Sequence, residues 1–218
     1  MTDASDFLPD SRKLPDLRTA VQDCRGCELY QDATQAVFGA GPQDAKILFV
    51  GEQPGDAEDR EGEPFVGPAG RLLDRALRDC GIDREQVYVT NAVKHFRFSR
   101  PERGKQRLHK KPSRGQIVAC RPWLLAELGG TDPDVVVFLG ATAAQSVLGT
   151  GFKVTERRGQ VVDLPEELVH RPMHAVATVH PSSVLRAADR DTAYSAFTAD
   201  LRVVGDLVSA GARPNATG

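Results

Sequence analysis

"KILFVGEQPGDAEDREGEPFVGPAGRLLDRALRDCG", Lys46 to Gly81, decides the fold. It opens on "KILFV" (46–50), a short apolar run closed by Gly51. It ends on "PAGRLLDRALRDCG", with Pro68 near the start, Gly81 as a stop, and an apolar stripe of Leu72, Leu73, Ala76, Leu77 and Cys80 at helical spacing. A short continuous apolar run reads as a strand buried on both faces. The same strand-to-helix alternation continues outward. "VYVTNAV" (87–93), "VVVFLG" (135–140) and "AVATVH" (175–180) are further Val-rich runs. Between and after them lie the helical patterns "SRGQIVACRPWLLAEL", "TAAQSVLG" and "TAYSAFTADLRVVGDLV". Ser113 caps the first of these, and Pro122 is expected to kink or restart it. Alternating strands and helices predict an α/β protein, a three-layer αβα sandwich with a central, mostly parallel four-stranded sheet.

The 218 residues are read as one domain over 13–210, with frayed ends at 1–12 and 211–218. No apolar run approaches a membrane span and the N-terminus has no apolar signal segment, so a cytoplasmic protein without membrane contact is expected, acting as a monomer. The net charge of −2 argues against a nucleic-acid binder, but its distribution argues for one. From Lys94 to Arg114 stand Lys94, Arg97, Arg100, Arg103, Lys105, Arg107, Lys110, Lys111 and Arg114 against one acid, Glu102. That segment carries +8, leaving −10 for the rest. Such concentration marks a phosphate-facing surface or a solvated loop. Within this basic insertion loop, 96–114, sits one histidine near the middle, His109, and a neutral imidazole can be nucleophile, base or metal ligand.

Parallel sheets bind ligands at the carboxyl ends of their strands. Those ends hold Glu52 in "GEQPGDAEDREGEPFVGPAG", Asn91, "GATAA" after the third run, and His180 in "HPSSVLR". A carboxylate, an amide and an imidazole thus meet at one edge, beside Gly51, Gly55, Gly67 and Gly70, which allow close backbone approach. The glycine spacing fits neither the dinucleotide nor the P-loop fingerprint.

"GEQPGDAEDREGEPFVGPAGRLLDRAL", "VYVTNAVK", "ACRPWL" and "ATVHPSSVLR" together resemble the iron–sulfur uracil-DNA glycosylases, often called family 4, from about Cys24 to the final helix. The loop "GKQRLHKKPS" resembles the UdgX subgroup, whose basic loop usually reads K-R-R-I-H. Here it reads Lys105-Gln106-Arg107-Leu108-His109, with Gln for Arg and Leu for Ile. Gln53 also suits that subgroup. The resemblance implies the uracil-DNA glycosylase fold and uracil-containing DNA as partner, single-stranded DNA favoured, with free uracil as product.

The residues make chemical sense of that implication. The target base must leave the stack and enter a pocket. Asn91 offers donor and acceptor to a pyrimidine edge. Phe65 offers a stacking face worth about 1–3 kcal/mol, or it is core; Asn91 could equally cap a turn. His180 can donate to the uracil carbonyl as charge develops on the leaving base. Glu52 can stabilise a cationic sugar or orient a nucleophile. His109, Glu52, His180 and Gln53 form the expected catalytic set. Gly51, Asp56, Phe65, Asn91, Arg107, Ser182 and Ser183 form the expected substrate-binding set, with Arg107 held on phosphate or on Asp56 and Asp59. The expected function is excision of uracil followed by a covalent adduct between His109 and C1′ of the abasic sugar, formed once per molecule. Two other outcomes stay open: a conventional hydrolytic glycosylase that releases its product, and a non-catalytic uracil-DNA binder. A nucleotide hydrolase is disfavoured by the lack of a metal-carboxylate cluster.

Four cysteines complete the inventory. Cys24 and Cys27 form C-x-x-C, which in a cytosolic chain points to metal or redox work. Cys80 lies on a helical apolar stripe and reads as packing. The resemblance supplies the fourth ligand, because family 4 has a cysteine after "NAVK" where this chain has His95. Cys24, Cys27, His95 and Cys120 thereby imply a structural [4Fe–4S] cluster. A Cys₃His zinc site is the competing reading. Either would pin both bases of the basic loop and leave His109 near its apex.

Overall fold

Strand β1, Ile47–Gly51, is buried along its whole length, as its apolar run dictates. The computed structural model describes residues 3–100, 107–168, 171 and 173–211. β1 pairs in parallel with β2, Val87–Asn91, and with β5, Val135–Leu139; β5 pairs in parallel with β7, His174–Thr178. A fifth strand, β6 (Val161–Asp163), runs antiparallel to β7 at the edge, so the sheet order is β2-β1-β5-β7-β6. The expected four strands are therefore the parallel part of a five-stranded sheet. β6 carried no sequence signal because two of its three residues are exposed. Among the described residues no helix is long and apolar enough to cross a membrane.

Side chains alternate across the sheet and build two cores. Leu48, Val50, Tyr88, Val136 and Phe138 pack with Leu17 of helix α1 (Leu14–Ala20), Trp123 of α4 (Arg114–Thr131) and Ala144 of α5 (Ala141–Leu148). Ile47, Phe49, Val89, Val135 and Val137 pack with Leu73 and Leu77 of α3 (Pro68–Asp79) and Phe197 and Leu201 of α8 (Arg190–Ser209). These are the two outer layers of the αβα sandwich. Each fully buried Leu, Val or Phe contributes about 1.5–3 kcal/mol through area removed from water.

Ser113 caps α4 as expected, accepting from the Gln116 amide while Gln116 accepts from the Ser113 amide. Pro122 does not break the helix, which continues through it to Thr131. A proline there leaves the carbonyl of Val118 without its helical donor. Val118 is 55% exposed, so water can replace that donor. At the other end, Ala4–Phe7, placed by sequence in a frayed terminus, forms a 3-10 turn whose Ala4 is buried in the core on the α4 side. Residues 212–218 lie outside the described residues.

The basic segment also has structure. β3 (Phe98–Ser99) and β4 (Leu108–His109) form an antiparallel ribbon in which Phe98 faces His109 and Ser99 faces Leu108. His109 therefore sits at the ribbon's base and not at an apex. Lys105 and Gln106, with the loop departure at Gln106, lie outside the described residues.

Candidate active site

β1 sits where the chain's connections diverge. From its carboxyl end the chain passes to α3 on one face, while from the end of β5 it passes to α5 on the other. Such a crevice is where open parallel sheets bind ligands. Here it opens into a cleft of about 970 Å³. Glu52, Gln53, Phe65, Asn91, His109, Thr142, His180, Ser182 and Ser183 line it, and Lys111 and Arg186 add positive charge.

Strand register sets the floor. Gly51 pairs with Asn91, so the two strand ends lie level. A Cβ on Gly51 would stand 2.3 Å from Asn91 Oδ1 and 2.9 Å from Phe65 Cζ, so only glycine lets the amide and the ring converge there. Phe65 holds φ at +59°, a costly conformation for a bulky residue, sustained beside the cleft.

His180 is the N-cap of the short helix α7, Pro181–Leu185. Its Nδ1 accepts from the Ser182 amide at 3.2 Å and lies 2.9 Å from Ser182 Oγ. Nδ1 is thus the lone-pair nitrogen, which leaves the proton on Nε2 as a donor. Burial, with the charges of Arg186 and His109, pushes the His180 pKa down to about 4, so the ring is neutral at pH 7. Its ring lies 6.3 Å from that of Phe65, at 25°.

His109 reaches the cleft from the ribbon, with half of its side chain exposed, and its Nε2 is 3.6 Å from Glu52 Oε1. The other carboxylate oxygen of Glu52 accepts from the Thr142 hydroxyl. The ribbon is docked by two side chains. Gln53 donates to the Arg97 and Lys110 carbonyls at 3.1 Å each and accepts from the Arg97 amide at 3.1 Å. Both N–H donors of its amide are spent on the ribbon, which gives Gln53 an anchoring place at the wall of the cleft. Arg107 pairs with Asp56 and, at 2.6 Å, with the buried Asp59, and its guanidinium lies over Phe96 and Phe98. Of the two expected partners for Arg107, the structure selects the acids. Asp56 is correspondingly engaged with Arg107 and Arg60.

Flat acceptor, stacking face, neutral imidazole donor and carboxylate around one cleft match what excision of a base requires. The family model for the uracil DNA glycosylase superfamily matches residues 38–202. The chain belongs to that superfamily. It is 40% identical over 168 residues to a type-4 uracil-DNA glycosylase of Thermotoga maritima, covering 76% of this chain and 80% of the relative. It is 34% identical over 198 residues to a type-4 uracil-DNA glycosylase of Archaeoglobus fulgidus, covering 89% and 92%. A type-5 uracil-DNA glycosylase of Pyrobaculum aerophilum is more distant, at 28% over 187 residues, covering 78% and 76%.

Away from the cleft, this superfamily member gathers three of its cysteines. The Trp123 indole donates to Cys24 Sγ at 3.1 Å and the Lys94 amide to Cys120 Sγ at 3.2 Å. Burial pushes the Cys120 thiol up to about 12 and raises Cys27, and the three sulfurs feel one another's charge. Such thiols stay protonated unless a metal centre takes the proton's place. His95 is buried, and burial lowers its pKa to about 4 against the pull of Asp59, leaving a neutral imidazole. Among the described residues no three of these side chains converge on a point that would hold one metal ion. Cys80 donates to the Thr198 carbonyl, apart from this group, in keeping with packing.

Two lining residues escaped the sequence reading. Glu58 accepts from the Gly55 amide at 3.0 Å and the Gly67 amide at 2.8 Å, clamping both ends of the glycine-rich loop. Its signal was an acid three residues after the N-cap Gly55, the half of a capping box that does not need an N-cap side chain. Thr142 stood in the flagged "GATAA", but nothing local showed that it would meet Glu52.

Proposed function

We propose that this protein is a uracil-DNA glycosylase that removes uracil from DNA and captures the abasic sugar on His109. The observation that carries the reading is the docked ribbon, which holds His109 at the cleft with Nε2 3.6 Å from Glu52. Its premise is that the type-4 relatives, as named, act on uracil in DNA. Single-stranded DNA is the favoured substrate, because its bases need less unpairing to enter the cleft.

In this reading Asn91 reads the uracil edge, Phe65 stacks on the ring, and Ser182 and Ser183 meet the DNA backbone. The C1′–N1 bond breaks with its electron pair passing to uracil, and His180 Nε2–H supports the charge that develops on the base carbonyl. Glu52 faces the electron-poor sugar. A lone pair of the neutral His109 imidazole then forms an N–C1′ bond, giving an N-alkyl imidazolium opposite Glu52. Fixing a nucleophile at the sugar raises its effective concentration to about 10⁵ M or more, so it outruns water.

A [4Fe–4S] cluster on Cys24, Cys27, Cys120 and His95 belongs to the same proposal. The donor set supports it: the buried thiols of Cys24 and Cys120 each with an N–H group aimed at sulfur, the half-buried thiol of Cys27, and a neutral imidazole. Cluster ligands bind separate irons and need not meet at one point, which favours a cluster over a single tetrahedral zinc ion. The cluster supplies structure and no step of the cleavage.

The second reading is hydrolysis with product release, and the names of the type-4 relatives favour it. A denaturing gel separates the two. Mixed with a single-stranded oligonucleotide holding one uracil, the wild type gives a shifted, heat-resistant band of one-to-one stoichiometry, and His109→Ser loses the band but still releases uracil. Many turnovers by the wild type with no such band would leave only the hydrolytic reading.

A further inference from the structure

We propose that Thr142 is a positioning residue for the chemistry at the sugar, acting through Glu52. The inference rests on the reading that Glu52 faces C1′. Thr142 is the second residue of α5 and only 4% exposed, yet its hydroxyl donates to a cleft carboxylate and not to its own helix. The bond occupies Oε2 of Glu52 and leaves Oε1 as the oxygen facing His109. One contact therefore fixes the orientation in which the carboxylate is offered to the sugar.

Three features build this contact. β5 ends level with β7, Leu139 beside Thr178, so α5 starts next to the chain that delivers His180. Gly140 makes the turn at φ +94°, and a Cβ there would stand 3.3 Å from His180 Cβ. The first turn of α5 adds the positive end of its helix dipole beside the carboxylate. The hydroxyl donor and the helix end together hold the carboxylate in one orientation. Held by one oxygen, Glu52 needs no reorganisation when positive charge appears at C1′, and then on the imidazole of His109. Thr142 itself transfers no proton and acts through Glu52, so it governs the rate of chemistry and not binding.

The test compares Thr142→Val, which removes the donor at nearly constant volume, with Thr142→Ser, which keeps it. Uracil release and adduct formation are followed in single turnover on a single-stranded oligonucleotide with one uracil. Affinity is measured on the same oligonucleotide carrying a 2′-fluorinated, cleavage-resistant deoxyuridine. Thr142→Val is expected to slow release by about tenfold to a hundredfold, the worth of one hydrogen bond to a charged group. Its affinity should stay within about twofold, and Thr142→Ser should release uracil within about threefold of wild type. Thermal midpoints identify any variant that fails to fold, and the Thr142→Ala and Thr142→Ser pair then replaces the first. Thr142→Val at the wild-type rate, or Thr142→Ser as slow as Thr142→Val, overturns the proposal. A wild type that releases uracil without an adduct removes capture by His109 but leaves the Thr142 comparison intact. A wild type that releases no uracil overturns the glycosylase reading and this inference with it.

Discussion

His180 shows how one side chain can serve as a helix cap and, in the proposed reaction, as a catalyst. Its Nδ1 must remain a lone pair to accept from the Ser182 amide, which fixes Nε2–H as the donor. The ring's pKa of about 4, lowered by burial and by Arg186 and His109, protects that arrangement. The sign of the stability effect follows. The unfolded histidine takes its proton near pH 6.5 and the folded one only near 4, so between those values the unfolded chain binds more protons. The contribution is complete above about pH 6.5 and is lost as pH falls toward 4. Urea denaturation at pH 7 and pH 5 should show a wild-type loss that His180→Asn, a non-titrating cap, reduces by on the order of 1 kcal/mol. Equal losses in both proteins would mean that His180 does not carry this titration. Glu52, Asn91 and His180 were legible because each directly follows or ends an apolar strand, where side chains must face the crevice. Thr142 and Glu58 were not, because their value lies in partners that only folding brings near.

At the scale of elements, the ribbon is the unit that turns a glycosylase cleft into a proposed trap. Its docking depends on Arg107, whose side chain is 9% exposed and whose partner Asp59 is fully buried. Thr34 donates to Asp59 as well, but among the described residues Arg107 is the cation paired with it. Arg107→Ala should cost on the order of 3 kcal/mol, because it strands a buried carboxylate. It should also lower adduct yield more than uracil release, since His109 loses its placement while the strand-end residues keep theirs. Denaturant midpoints and the adduct gel together check this, and an undiminished yield would show that Gln53 alone docks the ribbon. The sequence marked this segment as a charged loop, since two-residue strands have too few positions to show a period. Edge strand β6 was hidden because two of its three residues are exposed, and the restart expected at Pro122 does not occur because an exposed helix face tolerates what a buried one does not.

For the whole molecule, the sandwich ties its cleft to the cysteines through a buried ion pair. Lys94 and Glu127 are fully buried and paired, and Lys94 Nζ also donates to the Asn91 carbonyl at 2.8 Å. Glu127 further accepts from Tyr88, Thr90 and the Gly39 amide, so strand β2, helix α4 and the segment before β1 meet at one carboxylate. The Lys94 amide meets Cys120, which places the proposed cluster directly behind the pocket strand. Protein purified without oxygen should be brown and contain iron. Cys24→Ala, Cys27→Ala or Cys120→Ala should bleach it and lower its thermal midpoint, while Cys80→Ala should keep the colour. A colourless, zinc-loaded native protein would replace the cluster with the Cys₃His reading.

The layered fold and the three strand-end groups were decided by sequence alone, because buried parallel strands must be apolar throughout and their ends must carry whatever faces a ligand. Tertiary structure decided the partners. The pairing of Arg107 with Asp59, of Thr142 with Glu52 and of Lys94 with Glu127 joins residues far apart in the chain. Each is a compensation for burying charge or a donor, and burial is a property of the packed whole that no local spacing records.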